Sequence, residues 1–143
     1  MVADLFHYGH AEFLRRAQQL GDTLLVGVHS DATVAAYKRQ PFLTMEERVR
    51  VVECCRYVDK VIPDAPTIIT ADWIDRLGID LVAHGDDFTE EDLACFYGVP
   101  IRLGIFRTIP YTAGISTSDI ADRIEGRLCP ETHDANPHGR PHR

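Results

Sequence analysis

The sequence predicts an α/β domain: a doubly wound, mostly parallel sheet with helices on both faces. Three observations predict it. Short apolar, β-prone runs alternate with stretches of helical apolar spacing along the chain. The 143 residues, about 16.1 kDa, suffice for one core and are too few for two. A hydrophobic share of 45% fits a packed core and argues against disorder over most of the length.

The elements follow in order. Only Met1-Val2-Ala3 precedes Asp4, so the first strand is short or truncated, and backbone groups on its neighbour need another partner. Residues 10–20 carry apolar positions at Phe13, Leu14, Ala17 and Leu20, one helical face, stopped by Gly21-Asp22. Residues 23–29 read as a buried strand, with a short helix from Asp31 to Tyr37. Thr44 and Glu47 have capping-box spacing and open a helix through Val58. Lys60-Val61-Ile62 is a strand ended by Pro63, residues 67–77 a helix stopped by Gly78, and residues 80–83 a third strand ending at His84-Gly85-Asp86-Asp87. Residues 90–97 read as helix, 100–103 as a further strand, 105–110 as a short mixed run and 116–125 as a terminal helix. The whole is Rossmann-like, and such folds bind ligands outside the carboxyl ends of the strands. Residues 1–127 form the domain. Residues 128–143, rich in Pro, His, Gly and Arg without periodicity, read as a flexible tail.

Composition narrows the function. Asp plus Glu total 22 against 15 Lys plus Arg, a formal charge of −7, which argues against a nucleic-acid coat or an anionic-membrane surface. The four cysteines form no CxxC pair. Cys54 and Cys55 sit side by side in an apolar helical stretch and read as reduced core or interface thiols of a cytoplasmic protein. No apolar run is long enough to span a bilayer, and the N-terminus, with Asp4, His7 and His10, is not a signal peptide.

Two helix starts carry candidate chemistry. His7-Tyr8-Gly9-His10 puts two imidazoles on one side of a helix N-terminus, where free N–H groups and the positive dipole end suit phosphate, and Gly9 allows close approach. Half a zinc site and two incidental surface histidines are the competing readings. Ala113-Gly114-Ile115-Ser116-Thr117-Ser118 is the second: a flexible glycine, then hydroxyls at a helix start, either a phosphate cradle or a plain cap. Together they suit one polyphosphate held from both sides. Lys38 lies in a loop before Pro41, free to balance phosphoryl charge or to dress a solvated turn. Arg48 and Arg56, eight apart on one predicted helix, share a side, so one of them reaches toward the site while the remainder dress the surface. His84-Gly85-Asp86-Asp87 ends a strand, a place to read a base, to bind metal, or simply to turn in solvent.

The ordered series resembles the small cytidylyltransferases of the nucleotidyltransferase superfamily, which include glycerol-3-phosphate and phosphoethanolamine enzymes. It runs from Asp4-Leu5-Phe6-His7-Tyr8-Gly9-His10 through Val26 to Asp31, Lys38, Glu47-Arg48, Arg56 to Pro63 and His84 to Asp87, ending at Gly114 to Ser118. The resemblance implies that a phosphate oxygen of a small phosphorylated or phosphonate acceptor attacks the α-phosphate of CTP, with Mg²⁺ bound to the triphosphate and no metal site of the protein's own. It implies that His7, His10 and Lys38 are catalytic. It implies nucleotide contacts from Val2, Ala3, Gly9, Arg56, His84, Asp86, Gly114, Ile115, Ser116, Thr117 and Ser118. Acceptor contacts fall to Asp4, Arg107 and Tyr111. Tyr111 stands where the family carries an arginine, and Arg107, four residues upstream, is the nearest replacement. A homodimer is expected around Arg56-Tyr57-Val58-Asp59. Two alternatives stay open: an adenylyltransferase using ATP, and a nucleotide-binding or scaffolding protein that has lost catalysis.

Overall fold

Leu25-Val26-Gly27-Val28 (β1) alternates half-buried and buried positions and pairs in parallel with Lys60–Pro63 (β2), Leu25 opposite Lys60. Val82–Gly85 (β3) pairs in parallel with Phe106–Ile109 (β4), Val82 opposite Phe106. The computed structural model describes residues 1–128, and the tail assignment falls outside the described residues from 129 on. Among the described residues both ladders are parallel, as the alternating layout requires. The strands form two pairs, β1 with β2 and β3 with β4.

Residues 1–3 form no strand. The Met1 backbone alone meets β1: its amino group donates to the Gly27 carbonyl, and its carbonyl accepts from the His29 N–H at 3.1 Å. Those bonds supply part of the partnering that the short first strand leaves β1 without.

The helices are Tyr8–Gln18 (α1), Asp31–Ala35 (α2), Met45–Glu53 (α3), Ala71–Leu77 (α4), Glu90–Arg102 (α5) and Thr117–Leu128 (α6). Thr44 and Glu47 form the expected reciprocal capping box on α3. That helix ends at Glu53, short of Val58. Cys54 is therefore an exposed C-cap, and Cys55, half-buried beyond it, packs against the first core cluster; both are free thiols. Gly78 in the left-handed region closes α4. The predicted strand at 100–103 is instead the last turn of α5 and its exit, and the strand lies at 106–109 after Gly104, whose φ is 72°. Among the described residues no helix is long and apolar enough to cross a membrane.

Two apolar clusters support the two strand pairs. Leu14, Val26, Val28, Val52 and Val61 join α1 and α3 to β1 and β2. Ile69, Ile74 and Tyr97, with Phe88, Phe96 and Phe106 packed around them, join α4 and α5 to β3 and β4. Burial of such side chains contributes roughly 1.5–3 kcal/mol each. Both clusters leave the carboxyl strand ends to the loops that carry the histidines, the lysine and the glycine run.

Candidate active site

His7 is the N-cap of α1. Its Nδ1 accepts the Gly9 N–H at 3.1 Å, and the Nδ1 of His10 accepts the His7 N–H at 3.3 Å, a reciprocal capping box built from imidazoles. A neutral imidazole whose Nδ1 accepts must carry its proton on Nε2. Burial lowers the pKa of both rings. His10, which also feels His7, falls to about 4, and His7 is lowered with partial compensation from Asp119. Both are therefore neutral near pH 7, each with an Nε2–H left to donate. Their ring centroids lie 3.9 Å apart, and Phe6 stacks on His10 at 5.4 Å. The pair is held from both its neighbours and its own backbone.

The second helix start abuts the first. A Cβ on Gly9 would meet the His7 imidazole at 2.9 Å and Ile115 Cγ2 at 3.1 Å, so glycine is what lets the Gly114–Ser118 segment close on α1. Gly114 sits at φ 87°, a left-handed conformation that glycine adopts freely, close to the Tyr8 hydroxyl. Ser116 Oγ accepts the Asp119 N–H at 3.0 Å and donates to the Asp119 carboxylate at 2.7 Å. Thr117 Oγ1 donates to the Asp4 carbonyl at 2.9 Å, tying α6 to the turn before the histidines. Ser118 is exposed at the same start.

The remaining predicted residues divide. Lys38 is exposed, with its ammonium over the Tyr37 ring at 5.9 Å, and its charge contributes to the lowered pKa of His10 and of His84. His84 lies within β3, stacked on Phe88 at 4.3 Å and beside Tyr97 at 5.1 Å. Burial lowers its pKa, while its ring nitrogen pairs with the Gly85 carbonyl at 3.0 Å. Asp86 is exposed and accepts the Tyr111 N–H at 2.9 Å. Tyr111 turns its hydroxyl onto the Ile115 carbonyl at 3.1 Å and so braces the glycine run from its own strand exit.

Five predicted residues are engaged or placed apart from the two helix starts. Arg107 folds back on the Gly104 and Phe106 carbonyls at the N-terminal end of β4, whereas the glycine run follows the C-terminal end. Arg56 lies past the end of α3, exposed over the Tyr57 ring at 5.7 Å, so it does not share a helix side with Arg48. Asp4 is 5% exposed, and its carboxylate accepts the Phe42 and Leu43 N–H groups at 2.9 and 3.0 Å, one on each oxygen. Ala3 is buried at φ 58°, and the Val2 carbonyl is taken by a guanidinium at 2.7 Å. That guanidinium belongs to Arg48, fully buried, whose central position its charge and helical register did not signal.

An α/β domain in which a helix start bearing paired imidazoles abuts one bearing hydroxyls is thereby defined. Residues 2–123 match the family model described as cytidylyltransferase-like, and the chain belongs to that family. It is 47% identical over 128 residues to an ethanolamine-phosphate cytidylyltransferase of Arabidopsis thaliana, covering 85% of this chain and 30% of the relative. It is 44% identical over 125 residues to a probable ethanolamine-phosphate cytidylyltransferase of Encephalitozoon cuniculi, covering 85% and 38%. A choline-phosphate cytidylyltransferase of Arabidopsis thaliana is 37% identical over 86% of this chain and 42% of its own length. The chain thus spans about a third of the length of the ethanolamine-phosphate relatives it matches. A lipopolysaccharide core biosynthesis protein of Thermoplasma volcanium shares the fold, with a TM-score of 0.61 at 24% identity over 81% of this chain and 93% of that one.

Proposed function

We propose that the chain transfers a cytidylyl group from CTP to a small phosphomonoester and releases pyrophosphate. The observation that carries this reading is the imidazole pair, neutral and donating from Nε2, against the hydroxyl-bearing start of α6. An oxygen of the acceptor phosphate attacks the α-phosphorus and a new P–O bond forms. The bond from the α-phosphorus to the bridging oxygen of the β-phosphate breaks, and its electron pair leaves with pyrophosphate. Such a transfer asks for positioning and charge stabilisation rather than a special nucleophile. His7 and His10 donate to oxygens on which charge grows, Lys38 balances the triphosphate, and Ser116, Thr117 and Ser118 with the α6 amides hold its outer phosphates.

Among the described residues no three His, Cys, Asp or Glu side chains converge to hold a metal. Mg²⁺ would enter with the triphosphate and would offset charge on the leaving pyrophosphate. The acceptor is read as ethanolamine phosphate, after the relatives' names. An ammonium suits the end of β3, where Asp86 and Asp87 are exposed and the Phe88 ring stacks on His84. The chain works in the cytoplasm as a homodimer, joined through the exposed Arg56 and its neighbours, and sedimentation as a ~16 kDa species at assay concentration would count against pairing.

Pyrophosphate release across CTP, ATP, GTP and UTP, with ethanolamine, choline and glycerol phosphates as acceptors, tests the reading. Turnover with CTP and ethanolamine phosphate above every other pair is expected. Preference for ATP, or nucleotide binding without turnover on any acceptor, would overturn it.

A further inference from the structure

Arg48 and Asp4 are the two buried charged residues among the described ones, and both bond to the backbone of Leu43. Arg48 Nε donates to the Leu43 carbonyl at 3.1 Å, and Asp4 Oδ1 accepts the Leu43 N–H at 3.0 Å. The rest of the guanidinium reaches outward. Nη1 donates to the Val2 carbonyl at 2.7 Å, and Nη2 to the His29 carbonyl at 2.8 Å and to Asp31 Oδ1 at 2.7 Å. Asp31 opens α2, and Leu43 ends the loop that follows it. The guanidinium therefore touches both flanks of the segment that bears Lys38. It also touches the residue before the Ala3–Leu5 turn, through which the chain enters His7.

That segment has little else to hold it. The Tyr37 and Lys38 N–H groups bond back to the Val34 carbonyl, and the next backbone anchors are the Phe42 and Leu43 N–H groups on Asp4. Tyr37, Lys38, Arg39 and Phe42 are exposed. We propose that Arg48, with Asp4, is a positioning residue for the transfer: it clamps the Lys38 segment at both ends and sets the ammonium against the histidine turn. The inference rests on the cytidylyl-transfer reading for its consequence and on these hydrogen bonds for its geometry. A guanidinium is needed because its planar fork serves four acceptors at once, and an ammonium is a single point charge that cannot span them.

The test is a double-mutant cycle in the full chain. Arg48→Lys keeps the charge and removes the fork. It is expected to lower kcat/KM for CTP about 30-fold in the wild-type background and less than about 3-fold in Lys38→Ala, because the two act through one contact. A purely structural role would cost the same in both backgrounds, and equal losses would overturn the proposal. Asp4→Asn, which keeps one acceptor oxygen, runs through the same cycle should Arg48→Lys not fold. Failure of both to fold assigns the pair to the core alone and overturns it too. Amide exchange reads the clamp without turnover. In Arg48→Lys, or in Asp4→Asn in its place, exchange at Phe42 and Leu43 should quicken about 10-fold while β3–β4 amides keep their rates. Unchanged exchange at Phe42 and Leu43 refutes the clamp whatever the reaction proves to be. Absent turnover in wild type with quickened exchange refutes the transfer reading alone.

Discussion

The starts of α1 and α6 face each other, and each ends in a side chain that accepts a backbone N–H, yet they are built differently. At α1 the caps are imidazoles, partly buried, stacked on one another and on Phe6, with pKa values pushed down by burial. At α6 the cap is Ser116, bonded to an exposed Asp119, and the helix continues along a largely exposed face. A cap needs only an acceptor, and serine supplies one at less cost in side-chain ordering. Using histidine for the same task leaves an Nε2–H free on the far side of the ring. The α1 start thus keeps a donor beyond its capping bonds, and the α6 start carries N–H and O–H groups that do not titrate near neutrality.

The largest expected effect separates capping from chemistry at α1. His7→Asn places an amide oxygen where Nδ1 accepts from Gly9 and removes Nε2–H. Its thermal midpoint should stay within a few degrees of wild type while kcat falls about 100-fold or more. His7→Ala should lose the cap as well, about 1 kcal/mol. Equal kcat in His7→Asn and wild type would strip the imidazole of its role and make the two helix starts alike.

The junction between the two starts comes next. Alanine at Gly9 improves helix propensity by about 1 kcal/mol, but its Cβ would lie 2.9 Å from the His7 ring and 3.1 Å from Ile115. Overpacking of that kind costs about 1–3 kcal/mol, so the expected sign is destabilising. Gly9→Ala should lower kcat about 10-fold by parting the glycine run from the imidazoles. Wild-type kinetics with a raised thermal midpoint would show that the contact is incidental.

Titration distinguishes the starts in a third way. Burial sets His10 and His29 to about 4, below their ordinary 6.5. The unfolded chain then binds more protons than the folded one between those limits. Stability is full above about 6.5 and is lost as pH falls toward about 4, on the order of 2 kcal/mol per residue after allowing for partial solvation. Urea midpoints measured from pH 8 to 4 should fall across that window, and His29→Gln should flatten part of the slope. A flat profile would contradict neutral, buried imidazoles.

The smallest effect is expected at the end of β4 remote from both helix starts. Arg107 bonds to carbonyls at the far end of β4, so Arg107→Ala should change KM for CTP and for the acceptor by less than about 2-fold. A 10-fold rise in either would mean that the guanidinium swings across to serve where Tyr111 stands.

The sequence by itself determined the alternation of strands and helices, the Thr44–Glu47 cap, and the pairing of His7 with His10. Each is set within a turn or two by local periodicity or by a side chain's reach to its own backbone. Tertiary structure decided the rest. Pro100 reads locally as the end of a helix, yet α5 runs through it. The ring is fully buried, and the Phe96 carbonyl that it deprives of a donor accepts the Ile69 N–H from the α4 approach at 2.9 Å. Ala3 and Leu5 take left-handed φ values of 58° and 45° without glycine's freedom, because Asp4 between them is fixed by Phe42, Leu43 and Thr117. Arg48 looks like any helix-surface arginine until four backbone and carboxylate oxygens, from segments far apart in the chain, close around it. In each case a deciding partner is a hydrogen-bonding group on another segment of the chain. A desolvated donor or acceptor must be matched in space, and spacing along the chain carries no record of that match.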